Sequence, residues 1–144
     1  YDIPISHQSF PGMQSEMPKE PASDLLPTDS GYQTYKACGK LENKTALITG
    51  GDSGIGRAIA ILYAMEGAES AIVYLPEEEE DAKQTKKIVE AKGGQLHLFP
   101  SDLRGHEACQ QVVQKAKKAL GSINILVLNH GYQMMKEDIS EISV

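Results

Sequence analysis

Thr49-Gly50-Gly51-Asp52-Ser53-Gly54-Ile55-Gly56 is the stretch on which the reading of this chain turns. An apolar run, Thr45-Ala-Leu-Ile-Thr49, leads into it and suits a strand buried on both faces. Out of it runs Ile55 to Glu66, with Ile55, Ala58, Ile59 and Leu62 at helical spacing and Gly67 placed to stop the helix. A glycine-rich turn that leaves a strand and opens a helix is built to hold phosphate. Gly50 lets the chain turn sharply, Gly54 leaves room for an anion to reach backbone, and Gly56 lets the new helix pack closely. The unpaired N–H groups of the first helical turn then face the anion, and Ser53 can add a hydroxyl.

The same alternation continues outward. Ser70-Ala-Ile-Val-Tyr-Leu75 predicts a second strand. Pro76 follows at a first-turn position, and the five acids Glu77 to Asp81 stand where the helix dipole favours negative charge. Lys83, Lys86, Lys87 and Lys92 come later in that helix, before Gly93-Gly94. Gln95-Leu-His-Leu-Phe99 predicts a third strand. Arg104 to Leu120 predicts a third helix, with Ala108, Val112, Val113, Ala116, Ala119 and Leu120 as its apolar face. Ile123-Asn-Ile-Leu-Val-Leu128 is the fourth strand. The expected fold class is α/β, a partial Rossmann-like doubly wound parallel sheet of about four strands, β-α-β-α-β-α-β, with an extended N-terminal arm. In the strand order 3-2-1-4, two helices cover one face, one covers the other, and the fourth strand lies at an apolar edge.

Composition narrows the class. The chain has 144 residues, 40% hydrophobic and 24% charged, which bounds it to one globular domain. A net charge of −6 with no basic stripe argues against nucleic acid as a partner. No apolar run approaches the roughly eighteen residues of a membrane span, and no secretory signal opens the chain. Cys38 and Cys109 make no disulfide framework, which suits a reducing, cytoplasmic location. His7, His97, His106 and His130 are scattered and imply no metal site. The chain starts at Tyr1 rather than Met, as a processed product or a fragment would. Five of the seven prolines lie at or before Pro27, and residues 1–42 show no sustained period. They read as a Pro-rich arm, either a flexible tail or a strap anchored by Phe10, Tyr32 and Tyr35, ahead of a dinucleotide-binding domain over residues 43–144.

The spacing Thr-Gly-x-x-x-Gly-Ile-Gly resembles the short-chain dehydrogenase/reductase family. Ser101-Asp102-Leu103 follows the third strand, where that family has an Asp–hydrophobic pair beside the adenine ring. Asn129-His130-Gly131 follows the fourth, where it has Asn-Asn-Ala-Gly. The wording GGDSGIGRA, then AIVYLPEEEEDA, is similar to a bacterial and fungal subgroup of oxidoreductases with a proline-rich extension. The resemblance implies a nicotinamide dinucleotide held by Gly50, Asp52, Ser53, Gly54, Ile55, Gly56, Tyr74, Asp102, Leu103, Asn129, His130 and Gly131. It also allows a homo-oligomer of a longer chain. Two positions depart from the pattern: Leu128 replaces the first Asn, and His130 the Ala, where an imidazole either crowds the cofactor or bonds to it. Asp102 is either an acceptor for the adenine amino group or a cap for the helix beginning near Arg104.

For the cofactor, the reading leans to NADP over NAD. Folds that prefer NAD carry a carboxylate at the end of the second strand, where this chain has Tyr74-Leu75. No arginine replaces it, however, and Glu77 and Glu78 are near enough to repel a 2′-phosphate. The family's chemistry is hydride transfer between nicotinamide and an alcohol or carbonyl, with a Ser and a Tyr-x-x-x-Lys pair handling the proton. Tyr32-Gln-Thr-Tyr-Lys36 has that spacing but precedes the glycine turn, whereas the family's pair lies well after the fourth strand. No catalytic residue is therefore assigned. Two functions stay open: the nucleotide-binding part of an oxidoreductase whose catalytic region lies beyond these residues, and a non-catalytic nucleotide-binding or interaction module ending at Val144.

Overall fold

A computed structural model describes residues 13, 14, 17, 21–131, 138 and 140. Its centre is β3 (Thr45–Thr49), whose last four residues are all buried. On one side β3 pairs in parallel with β4 (Glu69–Tyr74), Ile48 opposite Ile72; on the other it pairs in parallel with β6 (Ile125–Leu128), Leu47 opposite Leu126. β5 (Leu96–Pro100) adds to the far side of β4, so the sheet runs β5-β4-β3-β6. This is the expected parallel order.

Alternation along the strands splits the core into two layers, because successive side chains point to opposite faces. Ala46, Ile48, Ile72, Tyr74 and Leu96 pack with α1 (Gly54–Met65) and α2 (Glu79–Ala91) through Ala60, Ile61, Ala64, Ala82 and Val89. Leu47, Ala71 and Val73 pack on the other face with Val112, Ala116 and Leu120 of α3 (His106–Leu120). α3 reaches no further than this layer, and Leu126 and Leu128 remain 56% and 72% exposed.

Several boundaries differ from the sequence expectation. Pro76 does not open α2. It opens a separate 3-10 turn, Pro76–Glu78, closed by the Glu78 carboxylate accepting the Leu75 N–H at 3.1 Å. α3 begins at His106 with Gly105 as its N-cap, two residues later than Arg104. The fourth strand is shorter than Ile123–Leu128, since Ser122 and Asn124 are spent on Thr45: its hydroxyl donates to the Ser122 carbonyl at 2.8 Å and its N–H to Asn124 Oδ1 at 3.0 Å.

The larger difference is in the arm. β1 (Leu25–Thr28) and β2 (Gly31–Thr34) form an antiparallel hairpin around Asp29-Ser30, with Gly31 at φ 135°. Its residues are nearly all exposed, so no apolar alternation announces it in the sequence. What holds this part of the arm is polar. Asp24 pairs with Lys92 after α2 at 2.5 Å, and Tyr35 donates its hydroxyl to Glu66 at the end of α1. Tyr35 is thus an anchor, whereas Tyr32, 72% exposed, is not; Phe10 lies outside the described residues.

Candidate functional site

The ends of β3, β4 and β6 meet at the glycine turn. Gly50 takes φ 62°, in the left-handed region, and its N–H donates to the Val73 carbonyl at 2.7 Å, so the turn grows from the sheet itself. A Cβ on Gly56 would stand 1.9 Å from the Gly50 carbonyl oxygen, so the helix start is packed directly on the turn. Gly51, to which the sequence offered no role, would meet Ile72 Cγ2 at 2.3 Å. Gly54 differs: φ is 52°, and a Cβ there would meet nothing within 4 Å, so the side it faces is open. An open face above glycine backbone is the room a phosphate needs.

α1 starts from Ser53, which is extended and makes no side-chain cap. The helix's first internal bond is Arg57 N–H to Ser53 carbonyl at 3.0 Å, so the amides of Gly54, Ile55 and Gly56 precede it. Ile55 is 74% exposed at this end. Amides of this kind, at the positive end of a helix dipole, suit an anion. The residues present therefore fit a dinucleotide's pyrophosphate.

Beneath the turn lies a buried polar network absent from the sequence expectation. Arg57, 2% exposed, donates Nε–H to the Asp52 carbonyl at 2.9 Å and to Thr85 Oγ1 at 2.7 Å, and pairs through Nη2 with Asp81 Oδ1 at 3.2 Å. Thr85 donates to the same Asp52 carbonyl at 2.6 Å. The sequence position of the acid run predicts helix-dipole chemistry alone; in the fold its last member, Asp81, is 3% exposed and serves as the counter-ion of a buried arginine. The pair pins the loop backbone at Asp52. The Asp52 carboxyl is itself buried, and desolvation pushes its pKa up, against a hydrogen bond from Ser53. Burial likewise raises Glu78, and the Asp52 charge adds to the effect.

The other expected site residues fall out as follows. Tyr74 points into the core, 3% exposed, and its hydroxyl donates to Glu79 Oε2 at 2.6 Å. Its side chain belongs to the α1–α2 layer, and burial followed by that bond to Glu79 raises its pKa. Asp102 does not cap α3, which starts four residues later. It accepts the Arg104 N–H at 3.0 Å and binds the Arg104 guanidinium, which holds its carboxyl below the usual range. Leu103 packs against the α3 layer. Asn129 donates Nδ2–H to the Gly50 carbonyl at 2.9 Å, locking the end of β6 to the glycine turn. His130 shares a 2.7 Å hydrogen bond between Nδ1 and Thr49 Oγ1, which also accepts the Asn129 and His130 N–H groups. The imidazole is thus engaged by β3. Gly131 is exposed beside it. His97 bonds Glu69 at 2.7 Å, as a sheet residue.

Two further features stand outside the sequence expectation. Gln14, in the arm, is 6% exposed and accepts the Gly54 N–H through Oε1 at 2.6 Å. Nothing local in the sequence marks it, since its partners lie 40 and 67 residues away. Tyr132-Gln-Met-Met-Lys136 repeats the Tyr-x-x-x-Lys spacing just after β6; these residues lie outside those described. Tyr32 sits exposed on β2, in the arm. Among the described residues, no group of three or more His, Cys, Asp or Glu is placed to hold a metal ion, and no helix is long and apolar enough to cross a membrane.

Residues 44–144 match the family model for short chain dehydrogenase. The Escherichia coli protein "Uncharacterized oxidoreductase YghA" is 44% identical over 142 residues, 99% of this chain and 46% of its own length. The chain spans about half the length of the curated relatives it matches. A short-chain dehydrogenase from Burkholderia cenocepacia, solved in complex with NADP, superposes with TM-score 0.67 at 32% identity, over 73% of this chain and 42% of that one. One from Mycobacterium paratuberculosis, bound to NAD, gives 0.60 at 34%, over 66% and 39%. A glycine turn between β3 and α1, the β5-β4-β3-β6 order and a sequence match that begins one residue before β3 agree: this chain belongs to the short-chain dehydrogenase family.

Proposed function

We propose that these residues are the dinucleotide-binding part of an NAD(P)-dependent oxidoreductase that moves hydride between nicotinamide and an alcohol or carbonyl carbon. The observation that carries this reading is the turn itself, with an open face at Gly54 and first-turn amides above a glycine bend clamped by Asn129 and Arg57. The cofactor supplies the hydride chemistry; the protein's part is to bind and orient it. Ile55 and Gly56 amides hold phosphate. The exposed His130 and Gly131 backbone offers a surface beside the turn, and the Thr49 bond keeps the imidazole off it. Asp102 and Leu103 flank the position expected for adenine. No proton-handling residue is assigned within these residues, and the activity belongs to the whole protein. The unpaired Cys38 and Cys109 support a reducing compartment.

Within that reading, NADP is supported by the last residue of β4, which is a tyrosine with a buried side chain in place of a carboxylate. A second reading, NAD, has its own support: the Glu78 carboxylate accepts the Leu75 N–H just past β4, where it opposes a 2′-phosphate. Titration with NADPH and NADH, followed by cofactor fluorescence, tests both levels. Gly54→Val fills the open face and strains φ, so it abolishes binding while far-UV circular dichroism stays helical. Retained binding in that variant sinks the phosphate site. Glu78→Gln favours NADPH over NADH if a 2′-phosphate lies beside it, and leaves the ratio unchanged otherwise. Tyr74→Asp is unsuitable as a test because it buries an unpaired carboxylate.

A further inference from the structure

The arm reaches the glycine turn. Gln14 accepts the Gly54 N–H at 2.6 Å, and its own N–H donates to Asp81 Oδ2 at 2.8 Å. Asp81 is held by Arg57, and Arg57 holds the Asp52 carbonyl. One residue of the arm thus bonds Asp81, the buried counter-ion on α2, through its backbone N–H and the first amide of α1 through its side chain. Gln14 is 6% exposed, although its segment precedes the domain by thirty residues of chain. At the other end of α1 the same arm is tied to Glu66 by Tyr35 and by the N–H groups of Cys38 and Lys40. The arm therefore touches both ends of the helix that opens the site.

Resting on the dinucleotide reading above, we infer that Gln14 is a cofactor-binding residue, contributed by the arm, that seats beside the pyrophosphate. α1 presents three amides ahead of its first internal bond. Gln14 takes the first, leaving those of Ile55 and Gly56 for phosphate. The residue type matters. A carboxamide accepts one N–H through Oε1 and carries two N–H donors on the adjacent Nε2, which a phosphate oxygen can use. A carboxylate in the same seat would accept the Gly54 N–H equally well, but would set a negative charge beside a dianionic ligand. Gln14 is thus neutral where the helix end alone would favour an acid.

The test is the affinity of the longest natural form of the protein for NADH and NADPH, for wild type, Gln14→Glu and Gln14→Ala, with thermal midpoints measured alongside. Gln14→Glu weakens both dinucleotides about tenfold or more, and the loss shrinks as salt rises. Its fold is retained, because the new carboxylate still accepts the Gly54 N–H, although the charge lies close to that of Asp81. Gln14→Ala weakens binding several-fold with the fold retained. A purely structural glutamine would give the reverse pattern, with stability altered and affinity unmoved. The inference is overturned if Gln14→Glu binds like wild type, or if Gln14→Ala binds more tightly, which would make Gln14 an occupant that the cofactor displaces. If wild type binds neither dinucleotide, the dinucleotide reading itself has failed and Gln14 falls with it.

Discussion

The four glycines of the turn answer three separate needs. Gly50 and Gly54 adopt positive φ, Gly51 avoids Ile72, and Gly56 avoids the Gly50 carbonyl. The last contact is backbone against backbone, so no side chain can move to relieve it. Gly56→Ala therefore pushes the start of α1 off the turn. The expected result is a loss of dinucleotide binding together with destabilisation of roughly 1–3 kcal/mol, the usual cost of overpacking, read from urea unfolding. Gly93→Ala is a comparison within the same fold, since a Cβ there meets nothing within 4 Å and only its φ of 83° opposes the change. It leaves cofactor affinity intact. Equal binding in Gly56→Ala and wild type would show that the packing of helix on turn is not needed for the site.

At the scale of the element, α1 is governed by what caps its ends. Its N-terminus meets Gln14, and its C-terminus is closed by Glu66, whose carboxylate accepts from Tyr35, Cys38 and Lys40. The Tyr35 hydroxyl, then the Lys40 N–H, hold the Glu66 pKa down to about 2 from 4.5. A carboxyl whose pKa is lowered in the folded state stabilises it above the unfolded pKa, and that contribution is lost as pH falls through the folded value. The arm's hold on α1 is therefore complete above about pH 4.5 and weakens toward pH 2. Hydrogen exchange at the Cys38 and Lys40 amides reads this out directly. Tyr35→Phe removes the largest contribution, so the midpoint of arm release moves to higher pH; an unmoved midpoint would mean Tyr35 does not set it.

Across the whole molecule, the two faces of the sheet are unequally covered. α1 and α2 fill one layer, while α3 covers β3 and β4 on the other and leaves Leu126 and Leu128 in the open. Both lie on β6, which is an edge strand among the described residues, and an open edge favours pairing with another chain. A polypeptide of these 144 residues is expected to self-associate and to bind a hydrophobic dye. Replacing Leu126 and Leu128 by Lys reduces the associated fraction in light scattering without altering the far-UV spectrum. A monodisperse wild-type polypeptide that binds no dye would favour a self-sufficient binding module.

The elements and their parallel order were legible in the sequence because they rest on local signals: alternating runs, helical spacing, and glycines where the chain must turn. β3, α1 and the turn between them follow from one continuous stretch, Thr45 to Met65. The β1–β2 hairpin was not legible, since nearly all its residues face solvent and carry no apolar period. Nor were the roles of Asp81 and Tyr74. One acid of a run of five becomes a buried counter-ion, and a strand-end tyrosine turns into the core rather than toward a ribose. Both outcomes depend on which face of α2 meets α1, a fact of packing. Gln14 is the clearest case. The need for an acceptor at the Gly54 amide is written into the start of α1, but which residue meets it is decided only when the chain brings the arm back across 40 positions, because a hydrogen bond depends on distance in space and not along the sequence.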